Sequence, residues 1–259
     1  MTVFATVDHI LSMVHSGFQM KDMNLSRIDL CVNLQLEDRN ITEIYLRCIR
    51  KCTVPIKFKR VRFPETERDY KIKNKFSFRA ESPELTFTAY DKIFQAKEEN
   101  LLDPSGEYPH ALIRFEVSLR RARIYQLAVR DLKSVACCPE LFHYFGCISR
   151  GIMQDCISTF FPEGRYVTCE EARRAITNAR LKRKIRKRML SLLEHASSCG
   201  NLNNAIRELS EEYRLTDYQA GVILKSFEKL RINPITLTGK ERPYLSIEGV
   251  RELLGFEAS

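Results

Sequence analysis

Three short segments combine an alternating hydrophobic pattern with side chains that can act on a phosphodiester. They are Arg27–Asn33, Thr86–Lys92 and Leu112–Arg120. Alternation of apolar and polar residues predicts a half-buried β-strand, in which successive side chains point to opposite faces of the sheet. We therefore expect three strands that each have one apolar and one polar face.

If the three strands share a sheet, its polar face gathers two carboxylates, Asp29 and Glu116, and one tyrosine, Tyr90. Carboxylates can hold Mg²⁺ or Mn²⁺, and a tyrosine oxygen can attack phosphorus. Lys and Arg side chains can neutralise the negative charge that develops on the phosphate during the attack. An ordinary antiparallel sheet with one face in water shows the same alternation, so a plain solvated face is the alternative. The cations on this face are Arg27, Lys92, Arg114 and Arg120.

The composition is that of a globular protein with a basic excess. The 259 residues carry a net charge of +9, with 29% charged and 44% hydrophobic residues, which predicts one domain and a smaller second one. The basic excess points to a polyanionic partner, nucleic acid before a membrane. No apolar run approaches the ~18 residues of a membrane span, and the N-terminus lacks the basic start of a signal peptide.

The nine cysteines and five histidines do not form a metal-binding pattern. No Cys-x-x-Cys pair occurs, no group of Cys and His residues has zinc spacing, and the histidines are isolated. An odd number of cysteines without a targeting signal predicts reduced thiols, and therefore a cytosolic protein.

The order of the predicted elements up to residue 161 indicates an α+β domain built on one mainly antiparallel sheet with flanking helices. Asn40 is predicted to cap the helix after the first strand, with Glu43 completing a capping box. A further strand over 54–63 is strongly basic on its exposed side. The remaining elements are helices over 2–19, 124–132 and 139–161, a strand over 25–36, a hairpin of strands 75–81 and 84–92, and a loop over 96–109.

A Pro/Gly break at Phe161–Gly164 is the preferred domain boundary, which divides the chain into 1–162 and an all-helical 163–259. Thr168 and Glu171 predict a capping box for a helix that ends at Ala179. Two helices over 202–214 and 216–231 have the core spacing of a helix-turn-helix, and 235–246 could form a small wing hairpin.

Residues 180–188 contain seven cations and no acid. Leu181 and Ile185 keep one face apolar, so we expect a packed helix with a basic outer face that contacts a nucleic-acid backbone. A nuclear localisation signal is the main alternative. The seven predicted DNA-binding residues are Arg180, Lys182, Arg183, Lys184, Arg186, Lys187 and Arg188.

Three motifs in this order and spacing resemble one known family. They are Leu25–Asp29 with the following Asn40-Ile-Thr, Phe87–Lys92, and Leu112–Arg120. They resemble the replication initiators of filamentous phages, the gene II-type proteins, which are distantly related to plasmid rolling-circle initiators. The resemblance covers about residues 24–130.

The resemblance implies a role for each matching residue. Tyr90 corresponds to the nicking nucleophile, and Asp29 and Glu116 correspond to ligands of Mg²⁺ or Mn²⁺. Lys92, Arg27 and Arg114 also match, and a nearby metal ion together with Lys92 or Arg114 is expected to assist the tyrosine. Asp91 follows the tyrosine on the core side of the strand and is the weaker candidate for a third metal ligand.

The function that the resemblance implies is initiation of rolling-circle replication. Such an enzyme is a site-specific DNA endonuclease and strand transferase that nicks and rejoins single-stranded DNA through a 5′-phosphotyrosyl intermediate. Its partners would be single- and double-stranded phage origin DNA and the host replication helicase and polymerase, in the cytoplasm of the bacterial host cell. Residues 1–162 would cut the DNA and residues 163–259 would bind it. The alternative is a non-enzymatic DNA-binding regulator, a truncated relative that keeps the fold and the basic helix.

Overall fold

A computed structural model of the chain shows an α+β fold with a five-stranded antiparallel sheet, flanking helices and a helical C-terminal region. None of the described helices is long and apolar enough to cross a membrane. The nine cysteines are free thiols. The structure describes residues 3–14, 19–66, 70–101, 108–109, 111–133, 137–238, 244 and 246–256.

The three strands predicted from alternation lie side by side in the sheet, whose order is β1-β5-β4-β3-β2. They are β1 (Arg27–Gln35), β4 (Leu85–Asp91) and β5 (Leu112–Arg120). The predicted hairpin is also confirmed, because β3 (Ser77–Glu81) pairs antiparallel with β4. The basic strand is shorter than predicted: β2 (Lys59–Val61) pairs with β3 at the edge of the sheet.

One face of the sheet is the floor of the hydrophobic core. Phe87, Phe115 and Val117 are fully buried there. Helix α2 (Arg39–Arg50) packs across β3 and β4, and helix α6 (Cys138–Phe160) packs across β1 and β5. The ring of Phe160, the last residue of α6, stacks on Phe87 with 4.5 Å between the ring centroids. Because helices cover this face, the other face is left for the polar residues.

The helix after β1 begins two residues earlier than predicted, and Asn40 is not its cap. The carboxylate of Asp38 accepts hydrogen bonds from the backbone N–H groups of Asn40 at 2.6 Å and Ile41 at 3.0 Å. The predicted capping box is also wrong, since Glu43 forms an ion pair with Lys75 at 3.0 Å. Asp38, in extended conformation two residues upstream of Asn40, instead satisfies two free N–H groups of the first turn.

The prediction of a loop over 96–109 is wrong at its start. Helix α4 (Lys92–Glu98) follows β4 directly, because Asp91 accepts a hydrogen bond from the backbone N–H of Phe94 at 2.9 Å and caps the helix. The rest of this loop falls mostly on residues 102–107, outside the described residues. A further short helix that was not predicted, α3 (Tyr70–Lys75), precedes β3.

The C-terminal region packs directly on the sheet and its helices. Phe161 and Tyr166, on the two sides of the predicted boundary, belong to the same buried apolar cluster. The Asn203 side chain accepts from the backbone N–H of Val54 at 2.6 Å and donates to its carbonyl at 2.9 Å. The hydrophobic core is therefore continuous across the predicted boundary.

The predicted helix pair is present as α9 (Leu202–Tyr213) and α10 (Asp217–Lys229), which pack against α8 (Arg183–Ser198). The proposed wing is described only in part, since 239–243 and 245 lie outside the described residues. Its end, β7 (Ser246–Ile247), pairs with β6 (Tyr166–Val167). The other helices are α1 (Val3–Val14), a 3₁₀ turn at Met20–Asp22, α5 (Arg121–Leu132), α7 (Cys169–Asn178) and α11 (Val250–Leu253).

Candidate active site

The polar face of the sheet opens into a concavity of about 570 Å³. Its floor is built by outward-facing side chains of β3, β4 and β5. One wall comes from Phe63, in the segment after β2, and from α3, and another comes from α4. Phe76 and Phe94 join the two walls by stacking, with 4.6 Å between their ring centroids. The floor includes Ser77, Arg79, Thr86, Thr88, Tyr90, Glu116 and Ser118, and the walls include Phe63, Lys73, Phe94, Gln95 and Glu98.

Tyr90 and Glu116 meet on this floor. In the register of β4 and β5, Tyr90 lies opposite Arg114 and Glu116 lies opposite Thr88, so the tyrosine and the glutamate are diagonal neighbours. The phenolic hydroxyl of Tyr90 donates a hydrogen bond to Glu116 Oε2 at 3.3 Å. The parity of the strands places both side chains on the same face, as predicted from the sequence.

Burial and charge hold the Tyr90 hydroxyl in its protonated form. Burial is the main cause that raises its pKa to about 12, and the negative charge of Glu116 adds to the effect. Arg114 acts in the opposite direction and lowers the pKa. A phenol of this kind is a weak nucleophile at neutral pH. Glu116 is the acceptor to which its proton can pass.

Arg27 links the two predicted metal ligands to each other. Its Nε donates to Asp29 Oδ1 at 2.7 Å, and its Nη2 lies 3.8 Å from Glu116 Oε1. The same Nη2 donates to the hydroxyl of Ser118 at 3.1 Å. A guanidinium therefore occupies the space between the carboxylates, about where a divalent cation shared by them would have to lie.

The carboxylates fit a divalent cation only if Arg27 moves. Asp29 lies opposite Ser118 in the register of β1 and β5, so it is a diagonal neighbour of Glu116. Within the part of the chain that the structure describes, no three His, Cys, Asp or Glu side chains converge as a metal-binding group. The arrangement is a carboxylate–guanidinium network, in which Arg27 neutralises the two carboxylates.

The other predicted residues lie around the tyrosine at different depths. Arg114 lies between Asn33 of β1 and Tyr90 of β4 in the strand register, and its Nε donates to Asn33 Oδ1 at 2.9 Å on the β1 side. The Lys92 ammonium lies 5.9 Å from the centroid of the Tyr90 ring and donates to Gln95 Oε1 at 3.1 Å. Lys92 thus lies beside the Tyr90 ring.

Asp91 does not share the polar face with Asp29 and Glu116. It borders the concavity, but its side chain is only 4% exposed and accepts the N-cap hydrogen bond of α4. Its carboxylate therefore has a structural role that explains why an acid follows Tyr90 at a core-side position.

The seven cations of 180–188 divide into an exposed group and an anchored pair. Arg186 is half-buried and donates to the carbonyl of Ala179 at 3.0 Å. Arg188 is buried, and its guanidinium lies 5.7 Å from the centroid of the Tyr213 ring. The helix also starts later than predicted, because α7 ends at Asn178 and α8 begins at Arg183. The exposed group is Arg180, Lys182, Arg183, Lys184 and Lys187.

The walls of the concavity were not predicted from the sequence. Phe63 lies in the irregular segment after the three-residue strand β2, and Lys73 lies in a six-residue helix, and neither carries a strong periodic pattern. Gln95 comes from α4, which was not predicted as a helix and whose last three residues fell in the predicted loop over 96–109. One signal that could have revealed α4 is an aspartate followed by seven residues without Gly or Pro, Lys92–Glu98.

Comparisons of the chain with protein-family models, with curated proteins and with solved structures found no match. The resemblance to phage replication initiators therefore stays a prediction that rests on the three motifs. What the structure adds is the placement of Arg27, Tyr90 and Glu116 in the lining of one concavity, whereas Asp29, Lys92 and Arg114 are not among its lining residues.

Proposed function

We propose that this chain is a rolling-circle replication initiator of the phage type, which nicks and rejoins single-stranded DNA through Tyr90. The observation that carries the proposal is the hydrogen bond between Tyr90 and Glu116 on the floor of the concavity. A tyrosine that is paired with a base in an open, partly cationic cleft has the arrangement of an activated nucleophile.

In the proposed reaction, the Tyr90 oxygen attacks the phosphorus of the scissile phosphodiester in line with the departing 3′ oxygen. The phenolic proton passes to Glu116 as the new oxygen–phosphorus bond forms. The bond between phosphorus and the 3′ oxygen breaks, and that oxygen takes up a proton from solvent. The products are a free 3′-hydroxyl, which a host polymerase could extend, and a strand joined to Tyr90 through its 5′-phosphate.

The reverse reaction rejoins the strand. The phosphotyrosyl diester keeps the energy of the broken phosphodiester, so attack by a 3′-hydroxyl reforms DNA without ATP. Glu116 then returns the proton to the tyrosine oxygen, because the same group must act as base in one direction and acid in the other. The 3.3 Å separation of the two oxygens is within the range in which such contacts tighten when substrate binds.

Two arginines can stabilise the negative charge that develops on the phosphate. Arg114 already lowers the pKa of Tyr90 by its positive charge, and it favours the phenolate for the same reason. Arg27 lines the concavity and presents a guanidinium that can pair with phosphate oxygens. Mg²⁺ or Mn²⁺ remains a further prediction of the resemblance, with Asp29 and Glu116 as the residues that would hold it.

The helical C-terminal region is proposed to bind duplex DNA near the origin. The exposed cations at 180–187 can contact phosphates, and the α9–α10 pair could act as a helix-turn-helix, with a wing formed by the segment before β7. Separation of duplex binding from the chemistry on the sheet suits an enzyme that must find one site and cut one strand.

The experiment that tests the proposal uses the full-length protein with a pool of single-stranded oligonucleotides and with supercoiled phage DNA. Nicking and a covalent adduct that survives denaturation are expected, with mass spectrometry locating the nucleotide on Tyr90. Binding of the same DNA without nicking or adduct, in the presence and absence of Mg²⁺ and Mn²⁺, would favour the alternative of a DNA-binding regulator.

A further inference from the structure

The β2–α3 wall of the concavity, formed by the described residues 56–66 and 70–76, carries a strong excess of positive charge beside exposed aromatic surface. Within these ranges the only acid is Glu65. Phe63 and Ile72 are exposed apolar side chains on this wall, at 38% and 44%. The cations of the wall are Lys57, Lys59, Arg60, Arg62, Lys71, Lys73 and Lys75.

Phe63 is held in place although its ring is exposed. Its backbone N–H donates to Asn74 Oδ1 at 3.0 Å, and the Asn74 amide donates to its backbone carbonyl at 3.0 Å. One side chain of α3 thus satisfies both backbone polar groups of Phe63 and fixes the position from which the ring projects. The ammonium of Lys73 lies 5.5 Å from the ring centroid. Both Phe63 and Lys73 line the concavity that contains Tyr90.

A fixed aromatic ring next to cations matches the chemistry of a single nucleic-acid strand. Every base has a planar face that stacks on an aromatic side chain, and the phosphates beside it are attracted to Lys and Arg. In a duplex the base faces are covered by their neighbours, so this ring cannot stack on them without unstacking the helix. An acidic peptide would match the charge but offers no planar partner for Phe63.

We propose that Phe63 is a stacking platform for one base of the single DNA strand that Tyr90 cuts, with Lys73 and Arg62 contacting its phosphates. This inference rests on the proposed function for the identity of the strand. It adds a binding residue that contributes to affinity for the strand and takes no part in proton transfer or attack.

The test measures binding separately from cleavage. All variants are made in the Tyr90→Phe protein, and fluorescence anisotropy follows a labelled oligo-dT, a labelled oligo-U and a duplex of the same length. Phe63→Ala is expected to weaken binding of oligo-dT about 5- to 150-fold, the range that corresponds to loss of one stacked base. Phe63→Leu, which keeps an apolar side chain without a planar face, should lose most of the same affinity, and Phe63→Tyr should keep it.

Ile72→Ala is the matched control. Ile72 is an exposed apolar side chain on the same wall, but it does not line the concavity. It is expected to bind oligo-dT like the parent protein. Lys73→Gln should lower the dependence of log K on log salt by roughly 0.7, the value for one phosphate contact on a single strand. Duplex binding by Phe63→Ala should equal that of the parent.

Three results would overturn the inference. They are parental affinity of both Phe63→Ala and Phe63→Leu for oligo-dT, an equal loss of duplex binding, or tighter binding of oligo-U than of oligo-dT. These results do not depend on nicking by Tyr90. If nicking fails while the Phe63 effect is found, the proposed function is wrong and Phe63 is still a stacking platform for a single strand. If nicking is found without the Phe63 effect, the proposed function holds and the inference about Phe63 is wrong.

Discussion

Tyr90 on β4 and Glu116 on β5 are diagonal neighbours on the polar face of the sheet, and the phenolic hydroxyl donates to the carboxylate at 3.3 Å. The antiparallel register fixes this relationship. A slip of one residue in β5 would move Glu116 to the core face and put Phe115 or Val117 in its place. The proposed chemistry therefore depends on the same pairing that builds the hydrophobic core.

Glu116→Gln tests whether the carboxylate accepts the proton of Tyr90. The amide keeps the shape of the side chain but is a far weaker base, so nicking should fall by about 10²–10⁴-fold. The negative charge of Glu116 raises the pKa of Tyr90, so its loss should lower that pKa. The pKa of Tyr90 is measured by following phenolate absorbance as pH rises. The signal of Tyr90 is the difference between Glu116→Gln and the same variant that also carries Tyr90→Phe. Unchanged nicking, or a Tyr90 pKa that does not fall, would contradict the role.

Tyr90→Phe should abolish the covalent adduct with DNA while binding of uncut DNA persists. The substitution removes the attacking oxygen and one hydrogen bond but keeps the ring on the floor of the concavity. The adduct is measured with a labelled oligonucleotide after denaturation. An adduct of full yield would assign the nucleophile to another tyrosine, and the next candidates are Tyr70, Tyr108 and Tyr125.

Arg27→Ala tests whether the two carboxylates can hold a metal. The guanidinium contacts both Asp29 and Glu116, so its removal should tighten the binding of Mg²⁺ and Mn²⁺, measured by calorimetric titration. Adding Asp29→Asn to this variant should weaken the binding again, because one anionic ligand is removed. If the cation is used in the reaction, excess Mn²⁺ should also restore part of the nicking that Asp29→Asn loses. Equal cation affinity in all of these variants would leave the carboxylates as partners of Arg27 alone.

The alternation of side chains along single strands was enough to predict which residues share a face. Asp29, Tyr90 and Glu116 were found in this way, because the period of two is a local property of a strand. The position of Arg27 between Asp29 and Glu116 was not predicted, because it depends on the register between β1 and β5 and on side-chain rotamers. Sequence alternation also could not assign Asp91, whose cap of α4 becomes clear only where strand and helix meet.

The walls of the site could not be predicted from hydrophobic periodicity, for a different reason. A helix as short as α3, with Lys at every second position from Lys71 to Lys75, has no apolar stripe, and the position of Phe63 is set by the side chain of Asn74. Such contacts connect residues through tertiary structure. The sequence predicted a basic strand over 54–63, but it did not predict that this segment forms one side of a cleft.

Neutralising the exposed cations before and at the start of α8 should weaken duplex binding and leave the chemistry intact. Changing Arg180, Lys182, Arg183 and Lys184 to Gln should lower the dependence of log K on log salt by roughly 0.9 for each phosphate that the protein no longer neutralises. Adduct formation on a saturating single-stranded oligonucleotide should change little, because none of these residues lines the concavity. An unaltered salt dependence would identify the segment as a solvated face.

Arg188→Gln is the control for that experiment. Its side chain is only 8% exposed and packs over the Tyr213 ring. We expect a decrease in thermal stability, because the packing over the ring is disrupted, with the salt dependence unchanged. A fall in the salt dependence equal to that of one exposed lysine would show that this arginine reaches the DNA.

Tyr45 and Tyr166 form a matched pair for testing what a buried hydroxyl contributes to stability. Their rings pack edge to face at 6.3 Å between centroids. The Tyr45 hydroxyl donates to the carbonyl of Glu248 at 2.9 Å, whereas the Tyr166 hydroxyl is buried without a hydrogen-bond partner among the described residues. Tyr45→Phe should therefore lower the free energy of unfolding by about 0.5–1.5 kcal/mol, and Tyr166→Phe should raise it by up to ~1 kcal/mol.

The same pair predicts how stability changes at high pH. Burial is the main cause that raises the pKa of Tyr166 well above its ordinary value, and it also raises the pKa of Tyr45. A raised pKa contributes stability that is complete below the pKa of the unfolded phenol, about 10, and is lost as pH rises toward the folded value, because the unfolded chain then releases protons that the folded chain keeps. Denaturant unfolding at rising pH should show a smaller alkaline loss of unfolding free energy in Tyr166→Phe than in the wild type.

The comparison at neutral pH tests the hydrogen-bond difference between the two tyrosines. A Tyr166→Phe protein that is less stable than Tyr45→Phe at neutral pH would show that the Tyr166 hydroxyl has a hydrogen-bond partner.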